Sequence, residues 1–95
     1  MSIYEKSTNQ LLTEYIEANL KPGQVMDKEQ IVNWFKSNYP KIKSNTVNCH
    51  IIKFTTNHKT RIHYNASPAN DILFQLPDKR LRLYNQETDP APIYA

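Results

Sequence analysis

Apolar residues recur at intervals of three and four in three successive stretches of the chain, the pattern of one face of a helix. In the first stretch these residues are Leu12, Tyr15, Ile16 and Leu20. Ser7 and Gln10 have the spacing of a capping box, which predicts that the helix begins near Ser7. Pro22 and Gly23 predict its end, because proline disfavours helix at the preceding residue and glycine tolerates a left-handed turn.

A second helix is predicted after Asp27, a favourable N-cap that has Gln30 three residues further on. Met26 and Ile31 have the spacing of a hydrophobic staple around this cap. Pro40 ends the helix at the residue before it. The apolar stripe of this helix consists of Ile31, Trp34 and Phe35.

The third helix is predicted over residues 44–57, with Ser44 as its cap. Ile51 and Phe54 fall within about 40 degrees of Val47 when each residue turns by about 100 degrees, so these three form the buried side. A solvated helix face usually mixes Glu with Lys, but this stretch contains no acidic residue. Its other side is an amide, hydroxyl and lysine surface that includes Asn45, Thr46, Asn48, Cys49, Ile52, Lys53 and Thr56.

The helical periodicity stops after residue 57. The next residues are polar and turn-rich, with a short strand predicted at residues 62–64. Two apolar runs, residues 72–76 and 81–84, flank a turn through Pro77, Asp78, Lys79 and Arg80 and predict a β-hairpin. The expected fold class is therefore α+β, a small domain of three helices followed by a hairpin.

A chain of 95 residues is long enough for one small domain. We assign it to residues 1–84 and expect residues 85–95, with two prolines and no periodicity, to form an extended arm or linker. No apolar run approaches the roughly 18 residues of a membrane span, and the N-terminus lacks the order of a signal peptide. A cytoplasmic protein without a membrane partner is expected. The single cysteine, Cys49, permits no internal disulfide and agrees with a reducing compartment.

Positive charge is concentrated in the middle of the chain. The net charge of +3 divides into −1 for residues 1–40, +6 for residues 41–82 and −2 for residues 83–95. The middle block contains five lysines and three arginines against Asp71 and Asp78. This asymmetry is typical of a protein with a polyanionic partner, although an incidental surplus of solvated lysine gives the same count.

Three helices followed by a hairpin with a basic turn resemble the winged helix-turn-helix family over residues 7–84. The ending RLRLYNQETDPAPIY is also similar to the close of small winged-helix modules appended to prokaryotic restriction-type nucleases. The resemblance implies a small winged helix whose recognition helix, residues 44–57, lies in the major groove of DNA. It also implies that the wing, residues 72–84, contacts the backbone or the minor groove.

The resemblance gives the acid-free face a function. Amides pair with adenine and hydroxyls serve several bases, whereas phosphate repels carboxylates unless they read cytosine. Alternatives stay open, because Asn45 and Thr46 can equally support the cap, Asn48 can be solvated, and Ile52 can pack against the wing or a partner. The base-reading candidates are Asn45, Thr46, Asn48, Cys49, Lys53 and Thr56.

The cations of the middle block are candidates for phosphate contacts. Lys79 and Arg80 lie in the predicted wing turn, where a cation can reach the backbone and an arginine can enter a narrow minor groove. The alternative is a turn whose charges only increase solubility. The phosphate-binding candidates are Lys41, Lys43, Lys59, Arg61, Lys79, Arg80 and Arg82, and Lys53 suits either role.

Enzyme activity, a metal and a cofactor are not expected. Cys49 and His50 are adjacent, but consecutive helical residues point about 100 degrees apart and form no nucleophile–base pair. The cysteine and histidines lack the spacing of a zinc motif. The pair Glu14 and Glu17 is typical of a solvated helix face, and a chain with one glycine has no phosphate-cradling loop.

Two functions from different classes stay open. The first is a non-catalytic module for double-stranded DNA, either the specificity domain of a larger restriction-type protein with a covalently attached catalytic domain or a small regulator. The second is a winged-helix adaptor in which Ile52, Tyr84 and Tyr94 dock a protein partner. An adaptor does not need eight cations on helix and wing.

RNA is less favoured, because single-strand binders present aromatic residues on strands. A monomer reads one half-site and a homodimer reads two; the sequence does not choose between them.

Overall fold

The computed structural model describes residues 4–94 of the chain. Its helices are α1 (Thr8–Asn19), α2 (Lys28–Asn38) and α3 (Ser44–Phe54), and its strands are β1 (Val25–Met26), β2 (Leu73–Gln75) and β3 (Leu81–Leu83). The strands form one antiparallel sheet in the order β1-β3-β2. Two short 3-10 helices, Lys59–His63 and Pro68–Asn70, precede β2. The expected α+β class is therefore confirmed.

Two of the three predicted helix starts are confirmed. The Ser7 hydroxyl accepts a hydrogen bond from the backbone N–H of Gln10 at 3.1 Å, and Asp27 and Gln30 form a capping box. The start of α3 differs, because Lys43 is its N-cap and makes no side-chain cap bond, while Ser44 is its first helical residue. The first amide N–H groups of α3 therefore have no capping side chain.

The end of α3 lies before the predicted one. Thr55 leaves the helical conformation, and residues 55–57 run beside β2 instead. The backbone N–H and the hydroxyl of Thr56 both donate to the Leu73 carbonyl, at 2.8 and 3.0 Å. The Asn57 side-chain amide exchanges two hydrogen bonds of 2.8 Å with the backbone of Gln75. Pairing with a distant strand replaces the last helical turn, so the prediction of a helix over 44–57 is corrected to 44–54.

Strand prediction is confirmed for the hairpin and is wrong at two other places. β2 and β3 pair antiparallel, with Phe74 opposite Arg82. The sequence does not predict β1, which pairs with β3, because two residues are too few to show alternation. The strand predicted at residues 62–64 is wrong, since a 3-10 helix occupies most of it and Arg61 turns inward and is fully buried.

One hydrophobic core joins the three helices to the sheet. The helices contribute buried residues from the predicted stripes, among them Ile16, Ile31 and Phe35, and the sheet contributes Leu73 and Leu81. The predicted core side of α3 is confirmed. It consists of Val47, Ile51 and Phe54. Because these three side chains point inward, the opposite side of α3 faces outward.

Residues 85–94 contain no helix or strand and contact the domain through several hydrogen bonds. The Arg82 guanidinium forms two hydrogen bonds with the Asp89 carboxylate, at 2.8 and 2.6 Å. Further along, the Ile93 N–H donates to the Thr56 carbonyl at 2.9 Å. Ile93 thereby satisfies a backbone carbonyl of residues 55–57, which lie beside β2 at the outer edge of the sheet, where unpaired backbone groups can attract another strand.

Candidate nucleic-acid interface

The outward face of α3 is not equally accessible along its length. Asn45 and Thr46, in the first turn, are exposed. Asn48, Cys49 and Lys53 are half-buried. Of the six base-reading candidates, Asn45 and Thr46 are therefore the two that are exposed to solvent.

Residues 58–65, here called the flanking segment, cover the later turns of α3. Arg61 Nε donates to the Lys53 carbonyl at 2.8 Å, and the Tyr64 hydroxyl donates to Cys49 Sγ at 3.5 Å. Cys49 and Lys53 are one turn apart on the same helix face. The flanking segment therefore runs along α3 from its end towards its start, which explains why Cys49 and Lys53 are half-buried.

Two base-reading candidates are less suited to that role than the sequence indicates. Thr56 lies beyond the end of α3, is 1% exposed and donates its hydroxyl proton to the Leu73 carbonyl, so it does not fit base reading. Asn48 has a buried Oδ1 with no hydrogen-bond partner among residues 4–94. A buried acceptor without a partner is costly, and its burial directs the Asn48 carbonyl away from solvent.

The phosphate role predicted for Arg61 does not fit its position. Its guanidinium donates to the Lys53 carbonyl, the Ile93 carbonyl and the Asp71 carboxylate, at 2.8, 3.2 and 2.7 Å. The side chain is fully buried, and its guanidinium carbon lies 5.2 Å from the centre of the Tyr94 ring. Arg61 is thus a structural residue that joins the end of α3 to the flanking segment and the C-terminal segment.

The other two arginines of the basic block are also ion-paired. Arg82 is half-buried between Asp89 and the Phe74 ring, which lies 4.3 Å from its guanidinium carbon. The hydrogen bonds from Arg82 hold the pKa of Asp89 below its usual value, and the pair leaves Arg82 poorly placed for a phosphate. Arg80 pairs with Asp78 at 2.8 Å in the hairpin turn, but both side chains are exposed, so Arg80 stays accessible to a partner.

Lysines supply most of the accessible positive charge of the block. None of the ion pairs within residues 4–94 includes a lysine of this block. No acidic residue occurs between Glu29 and Asp71, so α3 and the flanking segment lie in an acid-free stretch. Apart from Lys53, which is half-buried, these lysines are exposed: Lys41, Lys43, Lys59 and Lys79.

Lys28 adds a cation that the sequence does not predict as a phosphate contact. It is the first residue of α2 and lines a cleft together with Lys79 and Arg80 of the hairpin turn. The pKa of His58 in the flanking segment is lowered by burial and, to a smaller extent, by the positive charge of Lys28. The carboxylates of Asp27, Glu29 and Asp78 line the same cleft, so its charge is mixed. Because Lys28 belongs to a block with net negative charge, the charge count gives no signal for it.

Histidine, cysteine and acidic side chains are the groups that could hold a metal ion or form a nucleophile–base pair. Within residues 4–94, no group of three His, Cys, Asp or Glu residues is arranged to hold a metal ion. His50 Nδ1 donates to the Thr46 carbonyl at 2.9 Å, whereas Cys49 Sγ accepts from Tyr64, so these sequence neighbours bind different groups. None of the helices described between residues 4 and 94 is long and apolar enough to cross a membrane.

The elements of this interface lie within the bounds of a known domain family. No curated protein and no solved structure matches the chain. The sequence model of the family described as Domain of unknown function (DUF7669) matches residues 7–83. The matched region extends from the N-cap of α1 to the last residue of β3, so it includes α3, the flanking segment and the hairpin. The chain therefore belongs to the DUF7669 family.

Proposed function

We propose that this chain is a non-catalytic module that binds double-stranded DNA as a winged helix-turn-helix. The start of α3 enters the major groove, and the β2–β3 hairpin lies on the backbone or at the minor groove. The observation that carries the proposal is the first turn of α3. Asn45 and Thr46 are exposed there on a helix without a carboxylate, and the exposed Lys41 and Lys43 lie four and two residues before Asn45.

The chemistry of this turn suits base edges in the major groove. An asparagine amide pairs bidentately with adenine, and a threonine hydroxyl bonds to several bases. Helix-turn-helix proteins make base contacts mainly from the N-terminal residues of the recognition helix. The uncapped N–H groups at the start of α3 favour a phosphate nearby. Asn45 is accordingly the main base-reading residue of the proposal.

The hairpin turn supports a backbone contact through Lys79. This residue has a left-handed backbone with φ of 72°, a conformation that costs residues with a β-carbon about 1–2 kcal/mol and that glycine adopts freely. The strain places an exposed lysine at the turn, next to the cleft that Lys28 also lines. A cation held there is suited to a phosphate of the DNA backbone.

The accessible lysines set the expected salt dependence. Phosphate contacts by Lys41, Lys43, Lys53, Lys59 and Lys79 correspond to a log–log slope of affinity against salt of about −4.5. Affinity then falls by about 500-fold when salt rises from about 50 to 200 mM. Fewer contacts give a proportionally shallower slope and an added contact by Arg80 a steeper one, so the slope counts the cations that contact phosphate.

The proposal also concerns the kind of protein to which this DNA-binding module belongs. The similarity of the ending RLRLYNQETDPAPIY to restriction-associated modules supports a specificity domain of a larger restriction-type protein, and a small regulator has the same interface. A protein–protein adaptor is the second candidate. It gains some support from Arg61 and Arg82, since both serve internal ion pairs and so reduce the charge available for DNA.

The proposal is tested by selection from random double-stranded DNA, followed by titration of the selected duplex, its single strand and a duplex RNA. Asn45→Ala should weaken binding of the selected duplex by about 5- to 150-fold, the equivalent of 1–3 kcal/mol, and leave binding of random duplex unchanged. Lys79→Gly should weaken both duplexes and reduce the magnitude of the salt slope by about 1, without lowering the thermal midpoint.

Lys21→Ala is the matched control. Lys21 is exposed and precedes Pro22 and Gly23, which share a cleft with residues 82–88 at the end of the sheet opposite to the hairpin turn. This variant should bind like the wild type. If the wild type binds no duplex at low salt, the proposal fails and the adaptor becomes the better explanation.

A further inference from the structure

The flanking segment follows a path that places it beside the proposed reading face. Arg61 lies at the last turn of α3, where it bonds to the Lys53 carbonyl, and Tyr64 lies one turn nearer to the helix start, where it bonds to Cys49. Asn45 is one further turn along the same face. The residues around Tyr64 are thus the part of the flanking segment nearest to the exposed first turn.

This segment is fixed to the domain by its inward side chains. Arg61 is fully buried and bonds to three groups of the domain. His58 Nδ1 accepts the N–H of Thr60 at 3.2 Å and begins the 3-10 helix. The hydrogen bond from the Tyr64 hydroxyl to Cys49 is a further contact. The backbone from His58 to Tyr64 therefore has a defined position relative to α3.

Five residues of the flanking segment are exposed, and Ile62, His63 and Asn65 are the three on either side of Tyr64. Ile62 is 44% exposed, which is high for a large aliphatic residue, and His63 and Asn65 are exposed as well. Asn65 has a left-handed backbone with φ of 51° and ends the segment. The flanking segment carries the exposed Lys59 and no acidic residue of its own, and the nearby Asp71 carboxylate is paired with Arg61.

We propose that Ile62, His63 and Asn65 form a second row of contacts to the duplex, beside the row that begins at Asn45. The inference rests on the proposed function, because it places the same duplex against the flanking segment. The flanking segment covers α3 from Cys49 onwards. A duplex that contacts Asn45 and continues along α3 would therefore contact the flanking segment in place of the later turns of the helix.

The chemistry of the three side chains fits this role. The Asn65 amide and the His63 imidazole each offer a donor and an acceptor to base edges or phosphates. Ile62 offers an apolar surface to a thymine methyl group or to sugar. The second row therefore extends the recognised site beyond the base pairs that a single turn of helix can reach.

The test compares Ile62→Ala, His63→Ala and Asn65→Gly with the wild type on the selected duplex. Asn65→Gly keeps the left-handed backbone, because glycine adopts positive φ without strain. Each variant should lose about fivefold or more in affinity, the effect of about 1 kcal/mol. Lys21→Ala is again the control, since Lys21 is exposed and precedes Pro22 and Gly23, which share a cleft with residues 82–88. It should bind like the wild type.

A second measurement does not depend on the folding of any variant. Diethyl pyrocarbonate modifies accessible imidazoles, and the selected duplex should protect His63 of the wild-type protein from it. If the wild type binds duplex but His63 stays reactive and the three variants bind normally, the inference is overturned and the proposed function stands. If the wild type binds no duplex, the proposed function itself fails.

Discussion

The two ends of α3 differ in what surrounds them. At the start, Asn45 and Thr46 are exposed and the N-cap residue Lys43 makes no side-chain bond. At the end, the Lys53 carbonyl accepts from the buried Arg61, and the chain then pairs with β2 through Thr56. One helix thus has an end that is free for a partner and an end that the domain uses for its own stability.

The same division separates the cations of the basic block. Arg61 and Arg82 bind carboxylates and backbone within the domain, as suits a planar guanidinium with several fixed donors. The lysines carry their charge on flexible stems at the surface. A count of positive charge therefore overstates what a polyanion can meet, and the lysines, together with Arg80, are the better measure.

The largest expected effect is at the fixed end of α3. Arg61→Met should lower the free energy of unfolding by about 3–5 kcal/mol, because it removes one partner of a buried ion pair and leaves Asp71 with an uncompensated charge. Urea unfolding followed by the fluorescence of Trp34, the one tryptophan of the chain, measures this loss.

Two variants act as controls for that experiment. Arg80→Gln breaks an exposed pair and should leave the urea midpoint unchanged, since exposed ion pairs contribute little. Asn45→Ala, at the free end, should also leave it unchanged. A loss below about 1 kcal/mol for Arg61→Met, well short of what a broken buried pair costs, would show that the end of α3 is not held by Arg61.

Local spacing predicted the parts of the fold that depend on neighbouring residues. The caps at Ser7 and Asp27, the buried stripe of α3 and the hairpin follow from patterns within a few positions, and all are confirmed. The position of Asn45 and Thr46 on the outward face follows from the same periodicity. Their function stays a prediction.

Contacts between distant residues explain what the sequence did not predict. Arg61 is charged and lies in a polar stretch, so only its partners Asp71, Lys53 and Ile93 account for its burial. The early end of α3 likewise depends on β2, which is far along the chain. Sequence periodicity gives no sign of such pairings, and for this reason the sequence predicts DNA contacts for Arg61 and Thr56 that their positions do not fit.

A smaller effect is expected at His58 of the flanking segment, whose pKa depends in part on the charge of Lys28. Burial first, and the charge of Lys28 second, lower the pKa of this imidazole in the folded protein. The unfolded chain then binds a proton at higher pH than the folded one does. The free energy of unfolding should therefore be at its full value above about pH 6.5 and decrease as the pH falls towards the folded-state pKa.

The titration of His58 by NMR checks this expectation. Its midpoint should lie below that of a model imidazole, and Lys28→Ala should raise it only in part, because burial is the larger cause. A midpoint that Lys28→Ala leaves unchanged would show that Lys28 does not act on the flanking segment. A midpoint above about 6.5 would contradict burial as the main cause.

The most direct test of the central claim is an amide chemical-shift titration of the labelled protein with the selected DNA duplex. The largest changes should occur at residues 43–46, at the Asn45 side-chain amide and at residues 78–80 of the hairpin turn. The amide shifts of residues 55–57 and 93–94, which form hydrogen bonds within the domain, should change little. Changes centred on residues 55–57 and 93–94, or no changes at residues 43–46, would contradict the claim that the free end of α3 binds DNA.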